Sequence, residues 1–506
     1  MRLFFSNILN PLLLKELRQF VRNRFIIVLI NIYILAIVIA CLFMLTVNTI
    51  NIGKINGKDL LFALTNIVYI TSFIIIVIRT AWTTATDKIN EDLMLYSTMK
   101  PSTIVFGKLL SGATMTLILM SVTLPFITIA YTLRGIDVFT ILLIIVTVFF
   151  GVQLLNSFAI LVAASNKIKF SMYLTVVIVG GAAFPVYAGS TALIFHLLYE
   201  NTFNSNIWPF TIVLFCEGVF FAIFTCGSIA MFSPPASNRI LPLRILLTVL
   251  FIISLLATCS GIFYDPINDS LIGFKAICML TAPFIIIAIT CERDQWSNRI
   301  RQKLPESILY RIIRFPFYSG AACGLTWFFL FITAIFLTGV ILIENDAHEF
   351  SFVIEDGRAS HLFSFIVFSY NYCVTAMLIR SWFFKKYSSA YVLPIACILL
   401  LTFTLGSILL YFLIMSMVGV LENANFNNPF DAYADSILSM LNPFCDIDHI
   451  TCRELRVIGM SFWFILLVPF LIKWYKEQLK NFNPFIEETI KYEEVKAKLE
   501  LEENRN

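Results

Sequence analysis

Run after run of this chain is apolar for the length of a membrane crossing. A bilayer's hydrocarbon core is about 30 Å thick, and a helix spans it with roughly 20 residues. Residues 24–47, 60–82 and 107–132 each meet that length with few or no charges. The chain as a whole is 59% hydrophobic and 13% charged, against roughly 25% charged in soluble domains. The expected fold is therefore all-α and polytopic.

Twelve crossings are predicted, at about residues 24–47, 60–82, 107–132, 137–163, 169–190, 208–232, 243–263, 270–291, 317–343, 360–382, 387–417 and 455–474. If the N-terminus is cytoplasmic, the loops on that side carry Lys88, Lys100, Lys167, Arg239, Arg244, Arg293, Arg311 and Lys385. The opposite loops carry acids such as Asp265, Glu344, Asp346 and Asp431. This asymmetry places both termini in the cytoplasm. The net charge of +4 is dispersed among these loops, so topology accounts for it and no nucleic-acid partner is expected.

The pattern divides into two six-helix halves, 1–235 and 236–474, followed by a charged tail at 475–506. In each half the second crossing runs into a larger polar loop, 83–106 and then 292–316. Each loop has a proline close to the next crossing, Pro101 and Pro316. Residues 8–22 precede the first crossing as an amphipathic helix. Leu13, Leu17, Phe20 and Val21 share one face of it, and Lys15, Arg18 and Arg22 the other, a pattern suited to the lipid headgroup region. The start of the chain lacks the continuous apolar segment and small-residue cleavage site of a secretory signal.

Several residues invite a chemical reading. No G-x-x-x-x-G-K-[ST] loop occurs: Gly107-Lys108 has Ser102 where the first glycine belongs, and Gly57-Lys58 has Ile52. ATP hydrolysis by this chain is not expected, and neither is any other enzymatic activity. No metal site is expected within the crossings. Cys445, Asp446, Asp448, His449 and Cys452 cluster before the last crossing, where a disulfide, two thiols or a metal site all stay open. Glu217 and Lys275 lie within predicted crossings, where charge is expensive, and form a candidate pair across the halves. Gly320 and Gly324 open the ninth crossing with a spacing that lets helices approach closely. Residues 418–454 contain a helical apolar pattern, suited to a short element at the outer surface.

The opening NPLLLKELRQFVRNRF, the stretch EDLMLYSTMKPSTIVFGKLLSG and the following TLPF resemble the permease subunits of ABC-2 type transporters. The likeness is specific over roughly the first 130 residues and architectural beyond them; twelve crossings depart from that family's usual six. The resemblance implies an N-terminal interfacial helix, and a coupling helix in the loop after the second crossing that sits on a separate ATP-binding cassette subunit. Carried over, Glu91, Asp92, Leu93, Leu95 and Tyr96 are the coupling segment, with Arg299, Arg301 and Leu304 as its counterpart in the second half. It also implies that ATP and Mg are held by a partner ATPase dimer and not by this chain. The expected function is thus the membrane-spanning part of an exporter in the bacterial inner membrane. Two rivals stay open: a proton-coupled secondary carrier using Glu217, and a non-transporting scaffold for membrane assembly.

Overall fold

The computed structural model describes residues 11–50, 57–89, 99–133, 135–165, 169–199, 208–234, 237–259, 282, 285–292, 304, 307–343, 358–384, 392–417, 450–480 and 482. Among them every regular element is helical. Among the described residues eight helices are long and apolar enough to cross a membrane. A ninth crossing results if Leu309–Phe317 and Ala321–Ile335, which meet at 88°, form one bent span. Of the twelve expected crossings, the run at 270–291 lies largely outside the described residues. The run at 243–263 contains a shorter apolar helix, Leu241–Ile253. Many large apolar side chains point away from the protein, among them Ile27, Leu35 and Phe43 on one helix. Such a surface suits lipid and not water. The chain is an integral membrane protein.

Two compact units divide it, Met1–Pro235 and Ala236–Asn506. In the first, α1 (Pro11–Arg22) leads into α2 (Arg24–Ile50). Then α3 (Gly57–Ser72) continues through a π-helical turn, Phe73–Val77, into α4 (Ile78–Ile89). α5 (Pro101–Thr132), α6 (Val138–Ser165), α7 (Lys169–Tyr199) and α8 (Trp208–Phe232) follow. Pro starts both α1 and α5, where its fixed φ suits the first helical turn and its missing N–H costs nothing. α6 is the hub, packing on α4, α5, α7 and α8.

Without water to drive apolar association, such helices depend on close backbone approach and internal hydrogen bonding. Gly227 of α8 faces Leu161 of α6, and Gly112 of α5 faces Asn156. Tyr33 Oη donates to the Leu119 carbonyl (3.0 Å), tying α2 to α5, and Gln153 Nε2 donates to Thr116 Oγ1 (2.9 Å), tying α6 to α5. Thr71, Thr116 and Thr123 return their hydroxyl protons to carbonyls one turn earlier.

The second unit contains α9 (Leu241–Cys259), a helical stretch at 285–290, α10 (Ile308–Arg314) and a 3-10 turn, Phe315–Phe317. α11 (Ala321–Ile343), α12 (Arg358–Phe383) and α13 (Val392–Leu401) come next. A second π turn, Thr402–Gly406, joins α13 to α14 (Ser407–Met417), and α15 (Ile450–Lys480) follows. α12 packs on α13 and α15. The π turn carries Phe403 onto Trp463 of α15 (5.1 Å between ring centroids), and Tyr372 of α12 meets the same indole edge-on (4.8 Å). Aromatic contacts of this geometry add to what area burial alone contributes.

The glycine at 112 is a close-approach site, because an added Cβ would lie 2.2 Å from Asn156 Nδ2 and 2.9 Å from its Cγ. At Gly180 the same atom meets open space. Gly112→Ala is expected to destabilise the protein by roughly 1–3 kcal/mol, the usual range for overpacking. Gly180→Ala should be neutral or slightly stabilising. Thermal unfolding midpoints of the two purified variants check the contrast.

Candidate functional site

The polar loop after the second crossing has a buried ionic stem. α4 brings Asp87 to its last turn, and α5 brings Lys108 two turns past Pro101. Lys108 is 1% exposed. Its Nζ donates to Asp87 Oδ2 at 2.5 Å and to Glu16 Oε1 of α1 at 3.1 Å. Arg79 of α4 lies 3.6 Å from Glu16 Oε2, donates to the Glu16 carbonyl oxygen at 3.0 Å, and covers the Phe20 ring at 5.0 Å. Lys15, half exposed, extends the cluster to Asp87 Oδ1 at 3.6 Å.

The inner members are two cations, Lys108 and Arg79, and two carboxylates, Glu16 and Asp87. Their formal charges cancel. A lone charge in a low-dielectric interior is costly, and only pairing plus hydrogen bonding makes it tolerable. Each inner charge has that pairing, so α1, α4 and α5 are tied at one point. The stem spans 21 residues of chain, from Asp87 to Lys108. Both ends of the loop are thus anchored to each other and to α1.

The orientation of α1 follows from the same cluster. Leu12, Leu13, Glu16 and Phe20 are buried, which places Glu16 in the middle of the inward face. Leu17 is half-buried, and Arg18 and Arg22 are exposed. Val21, expected beside Leu13 and Phe20, instead projects outward at 69% exposure. The inward face is set by the ion cluster as well as by apolarity, and this rotates it away from Val21.

The second unit has a corresponding stem. Arg244 of α9 is fully buried, not in a solvated loop as its sequence position suggested. Its Nη2 pairs with Glu292 Oε2 at 2.9 Å, and its Nη1 donates to the carbonyls of Pro316 (3.1 Å) and Tyr318 (2.8 Å). Glu292 Oε2 also accepts the Gly320 backbone N–H at 2.8 Å. Asn238 Nδ2 donates to the Phe317 carbonyl at 2.7 Å. Gly320 has φ 122°, a conformation that favours glycine. A Cβ on Gly324 would lie 2.4 Å from Ile289 and 2.6 Å from Arg244 Nη2. The paired glycines therefore turn the chain and admit the guanidinium. In both units an acid at or just past the end of a helix is bonded across the loop that follows, Asp87 to Lys108 within α5 and Glu292 to the Gly320 N–H just before α11.

The expected coupling residues Glu91, Asp92, Leu93, Leu95 and Tyr96, with Arg299 and Arg301, lie outside the described residues. Leu304 is buried at 6% exposure, so its side chain is not free for an external partner in this state. Lys275, the expected partner of Glu217, also lies outside. Glu217 itself is buried in α8, and its Oε2 has no hydrogen-bond partner. Cys445 and its acidic and histidine neighbours lie outside too. Among the described residues no three His, Cys, Asp or Glu side chains group as metal ligands.

Glu16, Arg79 and Asp87 were not singled out from the sequence. The available signal was Glu16, the one acid of α1, which at 100° per residue falls between Leu12 and Phe20. Comparison with protein-family models, curated proteins and solved structures finds no match.

Lys108→Met removes the cation shared by the buried Glu16 and the half-buried Asp87. The expected loss is about 3–5 kcal/mol, the range for breaking a buried pair from one side. Adding Glu16→Gln to Lys108→Met should recover part of it, because the orphaned carboxylate is removed. A double-mutant cycle on thermal or denaturant unfolding reads the coupling.

Proposed function

We propose that the chain is the membrane-spanning permease of an ABC-type transporter, an exporter in the bacterial cytoplasmic membrane. It makes twelve crossings in two six-helix halves with both termini cytoplasmic. ATP, with Mg, is hydrolysed by a separate ATP-binding cassette dimer that docks on the loops at 83–106 and 292–316. Glu91, Asp92, Leu93, Leu95 and Tyr96 contact one ATPase subunit, and Arg299 and Arg301 serve the second loop.

The observation that carries this reading is the ionic stem of Glu16, Arg79, Asp87 and Lys108. A loop that transmits a push must not shear at its base. Charge-assisted bonds of 2.5 and 3.1 Å on one buried ammonium join the two helices that frame the loop to α1. A displacement of the loop is then passed to three elements as one body. The Arg244–Glu292 stem gives the second loop an equivalent base. ATP can shift the permease between two states only through unequal contact energy with them, and the docked loops supply that inequality.

Co-purification of the detergent-solubilised protein should recover an ATP-binding subunit. Glu91→Lys combined with Asp92→Lys should abolish its binding while leaving membrane insertion intact. Normal ATPase binding by that variant, or transport that persists in ATP-depleted vesicles under an imposed pH gradient, would overturn the proposal.

A further inference from the structure

Where the second loop ends, a short amphipathic helix turns its apolar side outward. In α10, Leu309, Ile312 and Ile313 are 62–67% exposed. At about 100° per residue these three fall on one face, Arg311 and Arg314 share the opposite one, and Tyr310 lies between. Tyr310 and Arg314 are exposed as well. Three large aliphatic side chains side by side are a poor surface to offer water. The flat helix of the first unit differs, because Leu12, Leu13 and Phe20 of α1 are buried against protein.

The direction of α10 is fixed by its joint. It meets α11 at 88°. The turn between them is held by Arg244 Nη1 on the Pro316 and Tyr318 carbonyls and by the Gly320 N–H on Glu292. Phe315, at the end of α10, packs edge-on against Phe482 (4.9 Å between centroids) and Tyr475 (6.1 Å). The 23 residues of α11 already suffice for a crossing, which takes roughly 20. The crossing is therefore complete without α10. A helix joined at a right angle to the end of a crossing runs along the membrane plane at headgroup depth. An apolar face sinks into the acyl boundary there, and a basic face stays among the headgroups. Tyrosine favours the same depth, and α11 exposes Phe329 and Leu330 to the same lipid.

Charge selects among lipids. Residues 293–314 hold six basic and two acidic side chains, a formal surplus of +4, whereas the loop at 83–106 holds two basic and three acidic ones. A basic segment beside a membrane helix attracts anionic headgroups, and each Lys or Arg near the surface adds to the attraction. A zwitterionic headgroup offers no such net gain. Arginine suits a phosphate because its planar fork can donate two bonds at once.

We propose that α10 lies in the bilayer interface and gathers anionic phospholipid, with Leu309, Ile312 and Ile313 among the acyl chains and Arg314 at the phosphate. The inference rests on the membrane setting alone and leaves Arg299 and Arg301 to the ATPase. Its test is photo-crosslinking of the full-length protein with p-benzoylphenylalanine in place of Ile313. In vesicles of mixed phosphatidylcholine and phosphatidylglycerol, irradiation should give lipid adducts in which phosphatidylglycerol exceeds its share of the vesicle. Arg314→Gln should lower that enrichment by roughly two- to fivefold, the contribution of one basic side chain near an anionic surface. The same probe in place of Leu304, which is buried, should give little lipid adduct. Three results would overturn the proposal. One is the absence of a lipid adduct at Ile313. Another is an enrichment that Arg314→Gln leaves unchanged. The third is an adduct in native membranes that is chiefly with another polypeptide, which would make this face a protein-docking surface.

Discussion

Lys108 is a cation placed where a cation cannot stay alone. Its ammonium is almost wholly buried between helices, and three donors must be satisfied by whatever the fold brings near. Glu16 comes from a helix 92 residues earlier in the chain, and Asp87 from one 21 residues earlier. The position of α1, the convergence of α4 and α5, and the anchoring of the loop between them all depend on that one group. Arg79 completes the arrangement by neutralising Glu16 from the other side and covering Phe20.

The second unit meets the same requirement with different parts. There the buried cation is a guanidinium, whose planar fork can serve a carboxylate and two carbonyls at once. That geometry demands backbone close at hand, and Gly320 and Gly324 provide it. Lysine with two acids makes a compact three-point tie, whereas arginine with one acid and two carbonyls fixes the path of a bend. The bend is the 88° turn into α11. Among the described residues each unit also carries one π turn, Phe73–Val77 or Thr402–Gly406, which rotates the following residues off the helical register. In the second unit the consequence is visible, since Phe403 reaches the indole of Trp463.

Much of the architecture was legible along the chain because its signals are local. Apolar length marks crossings, Pro101 marks the start of α5, and the paired glycines at 320 and 324 announce close packing. The candidate site was only half legible. The loop at 83–106 stands out by polarity, but its stem does not, because Glu16, Arg79 and Asp87 look like ordinary flanking charges until their partners are known. Arg244 misled for the same reason: a basic residue at the edge of an apolar run reads as a solvated anchor. Val21 misled by composition, since an apolar residue was assigned to the face that a glutamate in fact occupies. Burial of an ion is decided by its partner, and partners here are distant in sequence.

What the sequence by itself determined is the solvent and the element type: long apolar runs in a chain so poor in charge must be helices in lipid, with their backbone groups bonded internally. What only the tertiary structure decided is which polar groups face one another. Lys108 with Glu16 and Asp87, Arg244 with Glu292, and Tyr69 with Ser190 over Gly151 are juxtapositions of separate helices. The physical reason is that hydropathy is a property of each segment and sums along the chain. Charge compensation is a property of pairs, and it exists only once the helices have packed.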